Sequence, residues 1–162
     1  TEADASVIAE ALNDAGVTDN LRDGLPTPYT EADARDYIAF AQTAGEGAYA
    51  FAIAEDGVAV GSIQLTRQQN IHRRTAELGY AGARRRWGAG ICTEAVRQIC
   101  RFAFENTDVL RIFAEPFAEN AASCRVLEKA GFQLEGVLRR NAVKNGQVRD
   151  MRLYSLVRED LE

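Results

Sequence analysis

Apolar positions recur with helical spacing most regularly between residues 91 and 105. Ile91, Ala95, Ile99 and Ala103 fall four apart and are joined by Cys92, Val96, Cys100 and Phe102. Thr93, Glu94, Arg97, Gln98 and Arg101 cover the opposite face, so the stretch predicts an amphipathic helix. Three weaker patterns also predict helices. Over 5–16, Val7, Ile8, Ala11 and Leu12 share a face and Gly16 ends the run. Over 31–44, Ala34, Tyr37, Ile38 and Ala41 line up behind Thr30 as N-cap, with Asp33 three residues on. Over 120–130, Asn120 is the N-cap and Gly131 the residue past the end. Alternation predicts strands at 48–54 (Tyr49, Phe51, Ile53), 58–65, 75–81, 110–115, 132–143 and 147–157. In the strand at 75–81, Ala76, Leu78 and Tyr80 point one way and Thr75, Glu77 and Gly79 the other. Asp56-Gly57 and Asn145-Gly146 are hairpin signals, and Pro116 stops the strand before it.

The resulting order is ααβββαβαββ. Hairpins join antiparallel neighbours, whereas the strand–helix–strand passage through 75–115 requires a right-handed crossover and a parallel pair. The expectation is one α/β domain over 1–162: a mixed, mostly antiparallel sheet with one central parallel pair and helices on both faces.

Composition leaves this picture unchanged. Apolar residues make up 46% and charged residues 27% of 162, ordinary for a globular domain. No apolar run is long enough to span a bilayer and no leader opens the chain, so a cytoplasmic protein without a membrane partner is expected. The three cysteines, Cys92, Cys100 and Cys124, form no C-x-x-C pair, and His72 is the only histidine. No metal site or disulfide framework is therefore expected, and a buried Ser-His-Asp triad is disfavoured.

Charge adds more. The net charge is −5, yet residues 1–56 hold twelve acids against two bases, Arg22 and Arg35, and residues 57–162 hold seventeen bases against twelve acids. Either the acids are a solvated surface, or the two parts divide the work, the basic part binding an anion and the acidic part drawing in a cation. No basic stripe is interleaved with aromatics, so no nucleic-acid partner is expected.

The candidate chemistry centres on Arg84-Arg85-Arg86-Trp87-Gly88-Ala89-Gly90-Ile91. Glycines two apart let main chain approach a ligand closely. The helix that follows aims unsatisfied N–H groups and its positive dipole end at the loop. With the arginines this makes a site for a phosphate or pyrophosphate. The dinucleotide pattern G-x-G-x-x-G fails, since Ile91-Cys92-Thr93 follows Gly90.

Three segments in this order carry a family resemblance: Ala76-Glu77-Leu78-Gly79-Tyr80; Arg85-x-x-Gly88-x-Gly90 opening a helix; and Glu119-Asn120-x-x-Ser123-x-x-Val126-Leu127-Glu128-Lys129-Ala130-Gly131-Phe132. The chain resembles the GNAT N-acetyltransferase superfamily. The last run, with Glu135-Gly136-Val137-Leu138-Arg139 and Pro28-Tyr29-Thr30-Glu31-Ala32-Asp33-Ala34, resembles its RimJ/RimL branch, the ribosomal-protein-alanine N-acetyltransferase type. One departure is that the family usually begins with a strand, whereas Thr1-Glu2-Ala3-Asp4-Ala5 already opens a helix. The expectation is a sheet lacking its first edge strand, or a fragment of a longer protein.

The resemblance implies acetyl-CoA as donor and no metal. Arg85, Arg86, Trp87, Gly88, Ala89, Gly90 and Ile91 would hold the pyrophosphate, and the main chain of Leu78, Gly79 and Tyr80 would pair with the pantetheine arm. Asn120 would bind that arm or position a water, besides capping its helix. A family tyrosine expected at 127 is replaced by Leu127, and Ser123 would serve the leaving thiolate instead. Glu77 would be the general base, unless it is a strand residue ion-paired to Arg73 or Arg111. The implied reaction is direct attack of a primary amine on acetyl-CoA, the amine being a protein N-terminus. A small amine acceptor (polyamine, amino acid or antibiotic) and a CoA-binding module without catalysis stay open, as does a homodimer. The acidic stretch 19–36 would wall the acceptor site.

Overall fold

In the computed structural model residues 1–43, 45–82 and 88–161 are described. A 3-10 turn, Glu2–Asp4, leads into α1 (Ala5–Leu12), α2 (Ala15–Thr18) and α3 (Glu31–Thr43). Strands β1 (Ala48–Glu55), β2 (Val58–Arg67) and β3 (Thr75–Gly82) follow, then α4 (Ile91–Asn106), β4 (Arg111–Ala114), α5 (Ala121–Lys129), β5 (Gln133–Lys144) and β6 (Gln147–Val157).

The first predicted helix is two. Asn13 breaks it by using its side-chain amide on the carbonyls of Ala9 (2.8 Å) and Tyr29 (2.6 Å), while its Oδ1 accepts from Tyr29 N–H (2.9 Å). Asp14 then restarts the helix, its Oδ1 accepting from Gly16 N–H at 2.8 Å. Gly16 therefore lies inside α2 rather than ending α1. At α3 the capping box forms as read: Thr30 Oγ1 accepts from Asp33 N–H (3.2 Å), and the Asp33 carboxylate accepts from Thr30 N–H (2.7 Å).

Among the described residues six strands lie in the order β1-β2-β3-β4-β6-β5, and only β3–β4 is parallel. Both hairpin tips turn through two left-handed residues, Asp56-Gly57 (φ 50° and 78°) and Asn145-Gly146 (φ 51° and 72°). Among the described residues no strand precedes α1, so β1 is an edge of the sheet.

Helices cover both faces. On one, Ile63, Leu65, Ala76, Leu78, Ile112, Ala114 and Tyr154 pack in a single core with Val96, Ile99, Cys100 and Ala103 of α4 and Cys124 and Leu127 of α5. On the other, α1 and α3 meet through Ala5, Ile8, Ala9, Ala34 and Ile38. Tyr37 of α3 donates to Gln64 Oε1 at 3.0 Å. Gln64 alternates with Ile63 and Leu65, which assigns it to this second face.

The parallel pairing is short. It comprises Thr75↔Arg111, Ala76↔Ile112 and Glu77↔Phe113, whereas β3 stays paired with β2 as far as Gly61↔Gly82. The main chain beyond β4 is taken by β6: the Pro116 carbonyl accepts from Arg152 N–H (2.9 Å) and Ala118 N–H donates to the Asp150 carbonyl (2.9 Å). Pro116 itself has no N–H to offer. From Leu78 onward β3 therefore parts from β4. There β3 hugs β2, since a Cβ on Gly61 would strike the Ala81 carbonyl oxygen and lie 2.8 Å from Gly82 Cα.

Candidate functional site

A cleft of about 330 Å³ occupies the gap between the parted strands. Tyr80, Ala81 and Gly82 of β3 form one wall, the start of α4 a second, and Asn120, Ser123 and Val126 a third. Val17, Asn20 and Leu21 approach from the α2 side, so the gap has walls from both faces of the sheet.

The start of α4 is shaped for an anion. Its N-cap is Gly90, in the left-handed region at φ 78°, a residue with no side chain of its own to cap the helix. The first-turn N–H groups of a helix lack intrahelical partners and carry its positive dipole end. Gly88 is also left-handed, at φ 82°. Cβ atoms at 88 and 90 would meet nothing within 4 Å, so backbone conformation rather than crowding asks for glycine at both. The charged residues lining the cleft among those described are Arg125 and Lys129, both cationic.

At the α5 end, Asn120 caps its helix as expected, Oδ1 accepting from Ser123 N–H at 3.2 Å. Ser123 Oγ lies 2.7 Å from the Tyr80 hydroxyl, which also reaches the Ser123 carbonyl at 3.3 Å. Burial pushes the Tyr80 phenol well above its ordinary range, so it stays protonated at any physiological pH.

The other face of β3 carries the carboxylates. Glu77 is ion-paired to Arg22, in the segment between α2 and α3. The partner is neither Arg73 nor Arg111, as the sequence suggested; Arg111 is held by Glu135 at 2.7 and 2.5 Å. Glu115 follows β4 with the parity of Phe113, the residue opposite Glu77. Burial raises its carboxyl, the charge of Glu77 raises it further, and Arg22 opposes both. The acidic stretch is partly neutralised: Asp23 accepts from Lys144 Nζ (2.8 Å) and Asp19 from Asn145 Nδ2 (2.9 Å), both on the β5–β6 hairpin.

Of the predicted site residues, Tyr80, Gly88, Gly90, Ile91, Asn120 and Ser123 line the cleft. Leu78 is buried in the core and Gly79 is exposed, leaving only their main chain for a ligand. Ala89 lines a neighbouring cleft with Phe51 and Phe102. Arg84, Arg85, Arg86 and Trp87 lie outside the described residues. Cys92 also lines the cleft, and burial raises its thiol, which makes it a poor nucleophile. His72 is exposed in a 3-10 turn. Among the described residues no His/Cys/Asp/Glu cluster could hold a metal ion. Sequence reasoning missed Arg22, Glu115 and the Tyr80 side chain. Strand parity could have paired Glu115 with Glu77, but Arg22 carries no comparable signal.

The family described as acetyltransferase (GNAT) domain matches residues 1–133. The chain belongs to the GNAT acetyltransferase family. Within it, the uncharacterized N-acetyltransferase YoaA of Bacillus subtilis is 37% identical over 99 residues, which is 61% of this chain and 55% of that protein. The chain thus spans about half the length of this curated relative. RimJ of Mycobacterium smegmatis, solved with CoA-disulfide, superposes with a TM-score of 0.88 at 26% identity, over 99% of this chain and 80% of that one. A spermidine N-acetyltransferase from Vibrio cholerae, in complex with CoA and spermine, shares the GNAT fold with a TM-score of 0.83 at 19% identity, over 100% of this chain and 95% of that one.

Proposed function

We propose that the protein transfers an acetyl group from acetyl-CoA to a primary amine by direct attack, and that the acceptor is a protein N-terminal α-amine. The observation that carries the donor assignment is the opening between β3 and β4. It abuts a helix N-terminus entered through two left-handed glycines, and its charged lining among the described residues is cationic. A diphosphate fits the helix end. An extended pantetheine arm fits the edge of β3 that β4 has left, pairing with main chain as an added strand would.

Acetyl-CoA supplies an activated acyl group on a thiol that leaves readily, since such thiols titrate near about 8.5. The protein's task is positioning. A main-chain N–H on the parted edge of β3, between Leu78 and Tyr80, stabilises charge growing on the acyl oxygen. Glu77, on the opposite face, takes the proton that the attacking nitrogen sheds, directly or through one water. Arg22 must release Glu77 for this, and an incoming ammonium is a natural competitor for that carboxylate. The work is light for an α-amine, with a pKa of about 7.7–8.0, and heavier for lysine near 10.4.

The resemblance of the stretches 119–132 and 28–34 to the ribosomal-protein-alanine N-acetyltransferase type supports a protein N-terminus as acceptor. A polyamine is the second reading, favoured by the nearness of Glu77 and Glu115, two carboxylates opposed by Arg22. Assays of CoA thiol release with N-terminal peptides, lysine peptides and polyamines decide between them. Peptide α-amines should give the highest kcat/KM. Preference for spermidine would overturn the acceptor, and no release with any amine would leave a CoA-binding module. No helix among the described residues is long and apolar enough to cross a membrane.

A further inference from the structure

We propose that the Tyr80 hydroxyl is a positioning residue for Ser123: it donates to Ser123 Oγ and so turns the serine's own proton toward the departing sulfur. This rests on the acetyl-transfer reading and extends it to a side chain that no sequence pattern singles out.

Four observations converge. The two hydroxyls are 2.7 Å apart, within ordinary O–H···O range. Both line the cleft. Tyr80 comes from β3 and Ser123 from the first turns of α5, forty-three residues later, so the contact spans the gap that the parted strands open. Ser123 is itself fixed at its main chain, its N–H bound by Asn120 Oδ1, and of the two acceptors it offers the Tyr80 proton, Oγ at 2.7 Å is nearer than the carbonyl at 3.3 Å.

At this distance either hydroxyl could donate, and the two directions differ in what they leave for the sulfur. Each hydroxyl has one proton. If Ser123 donated to Tyr80, its proton would be spent and the sulfur would meet lone pairs. If Tyr80 donates, Ser123 Oγ is satisfied as acceptor and its proton is free to bond the sulfur. Burial keeps the phenol protonated, outweighing the hydrogen bond with Ser123, which works the other way. Tyr80 therefore orients and does not relay. In the step itself the C–N bond forms, the C–S bond breaks and the electron pair leaves on sulfur, where the Ser123 O–H hydrogen-bonds it. The nitrogen's surplus proton goes to Glu77 and then to solvent. The arrangement offers a hydroxyl to the thiolate without a tyrosine at position 127, where the core takes a fully buried leucine.

The test is a double-mutant cycle on the intact chain, Tyr80→Phe against Ser123→Ala, with CoA affinity measured by calorimetry and turnover by thiol release. Removing one such hydrogen bond predicts kcat lower by about tenfold in Tyr80→Phe. The donor KM and CoA affinity should be unchanged, because the bond matters only as charge builds on sulfur. In the Ser123→Ala background, Tyr80→Phe should cost nothing more. Four results would overturn the inference: unchanged kcat in Tyr80→Phe, an equal tenfold loss with Ser123 already gone, a loss of CoA affinity with kcat intact, or wild-type turnover in Ser123→Ala. The last would remove Ser123 from the reaction altogether, and so marks failure of the underlying reading rather than of the Tyr80 contact alone. Phenylalanine retains the ring that packs against the core, and a melting temperature near wild type confirms that the fold is kept.

Discussion

The two faces of β3 are built from opposite chemistry. Toward α4 and α5 the strand presents Ala76, Leu78 and Tyr80, and the cleft there holds hydroxyls, an amide, main chain and cations. Toward α2 it presents Glu77, with Arg22 against it and Glu115 beside it. A sheet sorts side chains by parity, so one strand can serve an anionic donor on one side and a cationic acceptor on the other. The parted strands let the two meet, since residues from both faces line the same opening. The unequal charge of the two parts of the sequence is thus in part a division between faces, although Asp19 and Asp23 are occupied in holding the hairpin.

The sharpest way to break this comparison is to neutralise the acceptor face alone. Glu77→Gln should lower acceptor kcat/KM by about a hundredfold, the lower range for a lost general base, and leave CoA affinity untouched. The deficit should shrink as pH rises past the acceptor's own pKa, where the amine is already neutral. Steady-state kinetics from pH 6 to about 9, with CoA calorimetry, check both. A deficit that is flat across pH would remove Glu77 as base, and a matching loss of CoA affinity would mean that the faces are not separate.

The converse change acts on the donor face. Gly90→Val places a β-branched residue at φ 78°, a conformation that costs about 1–3 kcal/mol. The helix entrance should shift to relieve it. CoA affinity should fall by about ten- to a hundredfold, with acceptor KM unaltered. Because a Cβ at this position meets nothing within 4 Å, Gly90→Ala should be milder than Gly90→Val. Equal effects of the two would point to an occluded ligand contact instead.

Most of this frame is legible in the sequence because it rests on local signals. Periodicity, the two hairpin dipeptides and the caps at Thr30 and Asn120 each act within a few residues and need no tertiary knowledge. The break at Asn13 was not legible, because what breaks the helix is Tyr29, sixteen residues on. The same holds at the site. Glu77, Asn120 and Ser123 could be selected from strand parity, a cap and a family pattern. Arg22 could not, since its ion pair spans fifty-five residues and sits in an irregular segment. Nor could the Tyr80–Ser123 contact, which exists only because β3 and β4 diverge. That divergence has a trace in the sequence, Pro116, but the residues that draw the chain away are on β6.

A smaller effect is expected at Glu115. Its carboxyl titrates above the ordinary range through burial, then through repulsion by Glu77. A raised carboxyl opposes folding once pH exceeds its unfolded value, because the folded state then holds a charge it resists. Glu115→Gln should therefore raise the melting temperature slightly at pH 7, with the gain vanishing below about pH 4, where both states are protonated. It should also raise the acceptor KM a few-fold by thinning the negative field at Glu77. A lower melting temperature at pH 7 would show that Glu115 is a paired structural residue instead.

The smallest effect belongs to Glu135, on the same side of the sheet as Glu77 but with the opposite perturbation. Arg111 grips it with two hydrogen bonds and Ser155 adds a third at 2.8 Å. The bond from Arg111, then that from Ser155, holds its carboxyl down at about 2 against an ordinary 4.5. For a depressed carboxylate, the stabilisation is present above the unfolded pKa and is lost as pH falls through the folded one. Glu135→Gln should thus melt earlier than wild type at neutral pH, and the two should converge between pH 4.5 and about 2. The difference should be modest, because the Glu135 side chain is 38% exposed and solvent screens the pair, and it should shrink in molar salt. Acetyl transfer at neutral pH should be unchanged, since the bridge ties β4 to β5 across β6 away from the opening. A loss of turnover without a loss of stability would extend the acceptor face to this arginine–carboxylate pair.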